Sequence, residues 1–183
     1  MRDGGLTRTA AKLRLATATE ADAAAIALLR TAAAERLTDD YGPGHWSGVV
    51  TDRIVLRGLK NSRVLVARRG AEIVGTLRLA TKKPWAIDAA YFTRVDRPLY
   101  LTDMAVDPRA QRQGVGRELL NAAVAIASAW PADAIRLDSY DADAGAGPFY
   151  EKCGFREVGR VTYRGTPLVY YEMVLGGVRK EEE

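Results

Sequence analysis

YLTDMAVDPRAQRQGVGRELL, residues 100–120, carries the reading that decides the fold. Residues 99–106 read as a strand. Asp107-Pro108 ends it, because proline offers no N–H to a ladder and holds its predecessor extended. Beyond the strand, Gly114 and Gly116 open a segment in which Val115, Leu119, Ala123, Ile126 and Trp130 recur at helical spacing until Pro131 stops it. A strand that passes through a glycine turn into a helix is built to receive an anion. The first N–H groups of the helix have no partner within it, and the helix dipole makes that end partly positive. Glycines at 114 and 116 remove the Cβ atoms that would keep a pyrophosphate at a distance. Arg112 and Arg117 flank the turn with guanidinium groups able to add charge-assisted contacts.

Three phosphate-binding patterns compete for this turn. A Walker loop closes on Gly-Lys-Ser/Thr, whereas Arg117-Glu118 follows Gly116 here. A dinucleotide fingerprint needs a third small residue where Leu119 stands, and the flanking βαβ repeats are missing. The run Gln111-Arg112-Gln113-Gly114-Val115-Gly116 instead fits Q/R-x-x-G-x-G/A. A second element, FYEKCGF at residues 149–155, lies downstream on a short helix that leads into a strand.

The surrounding chain reads as a run of alternating elements. Residues 12–16 alternate like a short strand, Thr19 with Asp22 resembles a capping box, and Ile26, Leu29, Ala33 and Leu37 share one helical stripe. Residues 39–48, DDYGPGHWSG, form a turn-rich loop with the only histidine, His45. Val49, Ile54, Leu56 and Leu59 point to a second helix. Residues 63–68 and 72–80 are strand-like, with Arg69-Gly70 as a tight hairpin turn. The polar, aromatic stretch 82–98 is long for a simple connection, and loops of that length in a compact domain tend to be functional. Residues 134–140 read as a strand, 145–153 as a short helix, and 155–163 with 168–175 as a final strand pair. This order predicts an α/β (α+β) fold: a mixed, mostly antiparallel sheet with helices on both faces.

The glycine run and FYEKCGF, on this succession of strand, turn, helix, strand and short helix, resemble the GNAT superfamily of N-acetyltransferases. The resemblance covers roughly residues 13–175 and is specific over 99–155. It implies acetyl-CoA as co-substrate and no metal, with a single acetyltransferase domain over residues 12–176. Residues 1–11 would form a flexible tail, and 177–183 a charged one. It also implies that the strand before the glycine turn splays from its parallel neighbour at 134–140 and takes the pantetheine arm on the main chain of Met104, Ala105 and Val106. The pyrophosphate would rest on the backbone of Gln111, Arg112, Gln113, Gly114, Val115, Gly116 and Arg117. Tyr150 matches the family's general acid toward the CoA sulfur.

For the base, Asp103, just before the thioester position, is the candidate, acting through a water. His45, of a residue type that takes up protons near neutrality, is more often incidental when alone in a surface loop. Cys153, before Gly154, reads as a small buried residue. Many family members carry asparagine near the pantetheine where this chain has Asp141. Asp138 and Asp143 add acid nearby, suited to a cationic acceptor. The expected reaction is direct attack of a primary amine, on a small molecule or a peptide, upon the thioester. The competing expectation is an acetyl-CoA-binding sensor that lacks the reaction; it would have no use for an acid at Tyr150.

Composition narrows the classes further. With 48% hydrophobic and 27% charged residues among 183, the chain reads as globular, not disordered. Its net charge of +4 comes from scattered arginines, without the basic, aromatic-interleaved clusters of a nucleic-acid binder. No apolar run approaches the roughly 20 residues of a membrane span. One cysteine allows neither an internal disulfide nor a cysteine-based zinc site. A cytoplasmic monomer or homodimer is the expectation.

Overall fold

The structure, a computed structural model, describes residues 11–176. The expected tails at 1–11 and 177–183 therefore lie, apart from residue 11, outside the described residues. The elements are β1 (Leu13–Thr17), α1 (Ala23–Tyr41), α2 (Asp52–Asn61), β2 (Arg63–Arg69), β3 (Glu72–Ala80), β4 (Pro98–Val106), α3 (Val115–Ala129), β5 (Ala134–Tyr140), α4 (Gly147–Lys152), β6 (Arg156–Tyr163) and β7 (Thr166–Val174). The strands form one seven-stranded sheet in the order β1-β2-β3-β4-β5-β7-β6. Every neighbouring pair is antiparallel except β4 with β5.

The alternation of side chains along each strand sorts the molecule into layers. Leu65 and Ala67 of β2, Leu99 and Leu101 of β4, and Ile135 and Leu137 of β5 join Val115, Leu119 and Ala123 of α3 in the main core. Val64 and Val66, their neighbours on β2, turn to the other face and pack with Ile26 and Ala27 of α1 and Val55 of α2. The entry to α1 is fixed as its sequence implies: Thr19 N–H donates to Asp22 Oδ2 at 2.9 Å, closing a capping box. No helix among the described residues is long and apolar enough to cross a membrane.

Three local expectations need correction. α1 runs on to Tyr41, three residues into the expected loop, held by an Arg36–Asp40 pair one turn apart and ended at Gly42 with φ +81°. α2 buries Val55 and Gly58, while Ile54 is half-exposed and Val49 stands outside the helix. The β2–β3 turn is at Gly70 and Ala71, with Arg69 still in the strand.

The long connection between β3 and β4 is ordered. Ile87 and Phe92 pack on Tyr100 and Tyr170 as a third core, on the face shared with α1 and α2. A buried pair, Arg136 with Glu172 at 3.3 Å, lies beneath it. Arg136 also donates to Thr93 O at 2.6 Å and to Tyr100 Oη at 3.3 Å, and Glu172 accepts from Thr93 N–H at 3.2 Å. Tyr170 donates its hydroxyl to Ala86 O and accepts from Asp88 N–H. The segment behaves as part of the fold because its main chain is satisfied by buried side chains of the sheet.

Candidate active site

β4 and β5 stay side by side only at Pro98–Ala134, Leu99–Ile135 and Tyr100–Arg136, and then diverge. On β4's other edge, Arg78 pairs with Thr102 and Thr76 with Ala105, so Asp103 and Met104 together oppose Leu77. This is a β-bulge, and bulges bend the strand that carries them. Asp103 takes φ +55°, a region aspartate tolerates better than most residues. Beyond the bulge, the β5 side of Met104, Ala105 and Val106 has no strand partner. Among the described residues, the side chain that hydrogen-bonds there is Gln111, whose amide donates to Val106 O at 3.3 Å.

The chain then makes a 3-10 turn at Pro108–Ala110, capped by Asp107, which accepts from Arg109 N–H. Arg112 at φ +60° and Gly114 at φ +83° reverse the main chain before α3. The two glycines prove to have different jobs. Gly114 needs its positive φ, and a Cβ there would meet nothing within 4 Å, so the space above it is open to a ligand. A Cβ on Gly116 would stand 3.0 Å from the Phe149 ring and 3.4 Å from Met104 Cε, so that glycine lets α3 sit against α4 and the bulge. Val115 is buried in the main core and pins the turn from below. Gln113 accepts from Arg69 and donates to Arg109 O, Arg117 reaches Lys152 O at 3.4 Å, and Arg112 is exposed.

Tyr150, from α4, lies on the α3 side of the gap, packed among Phe149, Phe155 and Tyr171. Its hydroxyl donates to Met104 Sδ at 3.7 Å, and a thioether is a weak acceptor. Burial pushes this phenol well above its ordinary range, with the Asp138 charge adding to the effect, so it stays protonated. Asp138 occupies the opposite face of β5 from Leu137, beside the gap. Burial raises its carboxyl, and no cation pairs with it among the described residues. Next to it, Tyr140 donates to His45 O at 3.1 Å and meets Trp46 edge-on, which docks the loop after α1 against the end of β5.

The remaining expected residues fall as follows. Asp103 receives Arg30 at 2.7 Å on one oxygen and Arg78 at 3.1 Å on the other. Asp141 is engaged by Arg160 of β6 at 2.8 Å. His45 is exposed, and its contribution to Tyr140 is its main-chain oxygen. Cys153 is half-buried at the end of α4, and burial raises its thiol, which keeps it protonated. Asp138 is the residue whose weight the sequence hid. The sequence shows it only as acid near the site, on a strand that also carries Arg136 and Ser139, and its isolation from cations among the described residues emerges only when β5 pairs with β7.

A mixed sheet that opens at its parallel pair, beside a helix N-terminus approached through left-handed backbone, is the scaffold of an acetyltransferase. The sequence matches the Acetyltransferase (GNAT) family over residues 23–155, more than half the chain, and the protein belongs to that family. No protein of curated function matches the sequence significantly. Among solved structures, yncA from Salmonella typhimurium, determined with its cofactor acetyl-CoA, is 18% identical with a TM-score of 0.67, over 93% of this chain and 98% of that one. The ribosomal-protein-alanine N-acetyltransferase of Brucella melitensis is 21% identical with a TM-score of 0.69, over 88% and 99%. The ribosomal-protein-S18-alanine N-acetyltransferase of Escherichia coli is 15% identical with a TM-score of 0.69, over 94% and 99%. At these identities the likeness is one of fold.

Proposed function

We propose that this protein is an acetyl-CoA-dependent N-acetyltransferase that passes the acetyl group directly to a primary amine. The observation that carries this reading is the gap between β4 and β5, with a phenol on one face and, on the other, a carboxylate that no cation of the described residues pairs. The residues present fit acetyl-CoA. The open backbone at Gly114 and the exposed Arg112 and Arg117 suit a pyrophosphate. The unpartnered edge of Met104, Ala105 and Val106 suits the amides of pantetheine, and a main-chain N–H there would stabilise the oxyanion formed on attack. Asp141, already held by Arg160, would meet the arm through its main chain at most.

An amine enters as an ammonium ion and must lose a proton before it attacks. Asp138, partly desolvated and with no guanidinium partner among the described residues, serves this proton transfer better than Asp103, whose two oxygens are both engaged. The departing thiolate then takes a hydrogen bond from Tyr150, which exchanges a thioether for a stronger acceptor. The acceptor would approach between the loop after α1 and the β3–β4 connection, on the face where Asp138 lies.

The test is acetyl-CoA consumption against a varied amine panel, including peptides with free N-termini, read as released thiol. Turnover with at least one amine is expected. Tight acetyl-CoA binding without transfer to any amine would instead favour the sensor reading.

A further inference from the structure

We infer that Asp103 is a positioning residue: with Arg30 of α1 and Arg78 of β3 it forms a clamp that fixes the β4 bulge and so aims the main chain of Met104 and Ala105. This rests on the proposed acetyl-CoA site, whose oxyanion contact comes from that main chain.

The bulge is locally unfavourable. It leaves an unpaired residue in the ladder and sets a non-glycine residue at φ +55°. Something must hold it, and the side chain of the strained residue does so. Its Oδ1 accepts from Arg30 Nη2 at 2.7 Å, and its Oδ2 lies 3.1 Å from Arg78 Nε. The same Arg78 nitrogen donates to Thr102 Oγ1 at 2.9 Å, so β3 grips β4 on both sides of the Thr102–Asp103 peptide. Arg30 carries the clamp across to α1. Desolvation lowers its tendency to hold a proton, and the Arg78 charge pushes the same way, while Asp103 opposes both. Without the carboxylate, two guanidinium groups would face each other across a small cavity lined by Ile26, Val55 and Thr76. The arrangement is stable only as a triad, and the triad exists only with the bulge in place.

The alternatives make different demands. A general base needs a lone pair free to take a proton and is read in the pH dependence of the rate. A clamp is read in geometry, at every pH alike. Asp103→Asn keeps the shape and the tolerance of positive φ but removes the charge. Arg30→Met removes the α1 arm without touching β4. Each is expected to weaken acetyl-CoA affinity, measured by calorimetry, about tenfold, since a small misplacement of a binding main chain is costly. Each is expected to lower kcat by a similar factor without moving the acid limb of the pH–rate profile. The double variant should be little worse than either single one, because both break one unit.

Amide hydrogen exchange at Met104, Ala105 and Val106 in the protein without ligand should accelerate in both variants. That readout separates the clamp from the acetyl-CoA reading. If wild-type protein binds no acetyl-CoA, the proposed function fails, while faster exchange in the variants still supports the clamp. Loss of the acid limb in Asp103→Asn would make Asp103 the base and overturn the inference. So would unchanged exchange at the bulge in both variants.

Discussion

At the scale of single residues, the gap sets a phenol against a carboxylate, and each can be tested alone. Tyr150→Phe removes one oxygen whose partner is a thioether, so melting temperature and acetyl-CoA affinity should hardly change. The transfer rate should fall toward the lower end of the roughly 10²- to 10⁴-fold range of positioned proton transfer. A raised phenol donates a hydrogen bond to a thiolate more readily than it gives up its proton, which is why the lower end is expected. A stable variant with full activity would remove Tyr150 from the chemistry.

Asp138 makes a prediction in pH. Burial raises its carboxyl, so folding binds a proton more tightly than the unfolded chain does. The charged form therefore costs stability above the raised value, and the cost vanishes as pH falls to the ordinary aspartate range. Asp138→Asn should accordingly melt higher than wild type near neutrality, with the difference closing in acid. In the same variant the activity that remains should lose the acid limb above the usual carboxylate range. A variant that melts lower than wild type at neutral pH would mean the charge is compensated in the fold.

At the scale of elements, the turn into α3 joins backbone strain to ligand space in Gly114. Any side chain there pays for a left-handed conformation, on the order of 1–2 kcal/mol, but a Cβ at that position meets nothing within 4 Å. Gly114→Ala and Gly114→Glu should thus lose similar stability by chemical denaturation. Only the glutamate, which places negative charge where a pyrophosphate would lie, should abolish acetyl-CoA binding by calorimetry. Equal affinity in the two variants would move the pyrophosphate away from this turn. Gly116 answers to another constraint, since its missing Cβ makes room for Phe149, the neighbour of the proposed acid.

Across the whole molecule, the face opposite α3 is divided between the α1–α2 pair and the β3–β4 connection. The second half depends on the buried Arg136–Glu172 pair. Removing one member of a buried pair costs about 3–5 kcal/mol, here toward the lower end because Arg156 Nη2 still stands 3.7 Å from Glu172 Oε2. Arg136→Met should lose stability of that order in urea and expose the connection to proteolysis near Thr93, whose carbonyl loses its donor. Adding Glu172→Met should recover most of the stability, because two apolar side chains replace the pair without stranding a charge. Acetyl-CoA binding should survive in both, since the glycine turn lies elsewhere on the sheet. Failure of the second substitution to rescue the first would show that the hydrogen bonds to Thr93 outweigh the charge.

Much of this protein was legible in its sequence, and for a local reason. The strand, proline stop, glycine turn and helical stripe of residues 98–130, and the short helix with FYEKCGF, are set by spacing, φ restriction and missing donors, which act between near neighbours. The order of elements follows from them, whereas the parallel pair at β4 and β5 is what the resemblance to the family implies and the strand pairing bears out. What tertiary structure decided is the partner of each charge. Asp103, Asp138 and Asp141 look alike along the chain. Folding brings Arg30 and Arg78, 73 and 25 positions before Asp103, onto its carboxylate. It gives Asp141 an arginine from β6 and leaves Asp138 with none among the described residues. A carboxylate's role depends on its solvation and on the cations within a few ångströms, and strand pairing and helix docking fix both. No pattern in one segment carries that information.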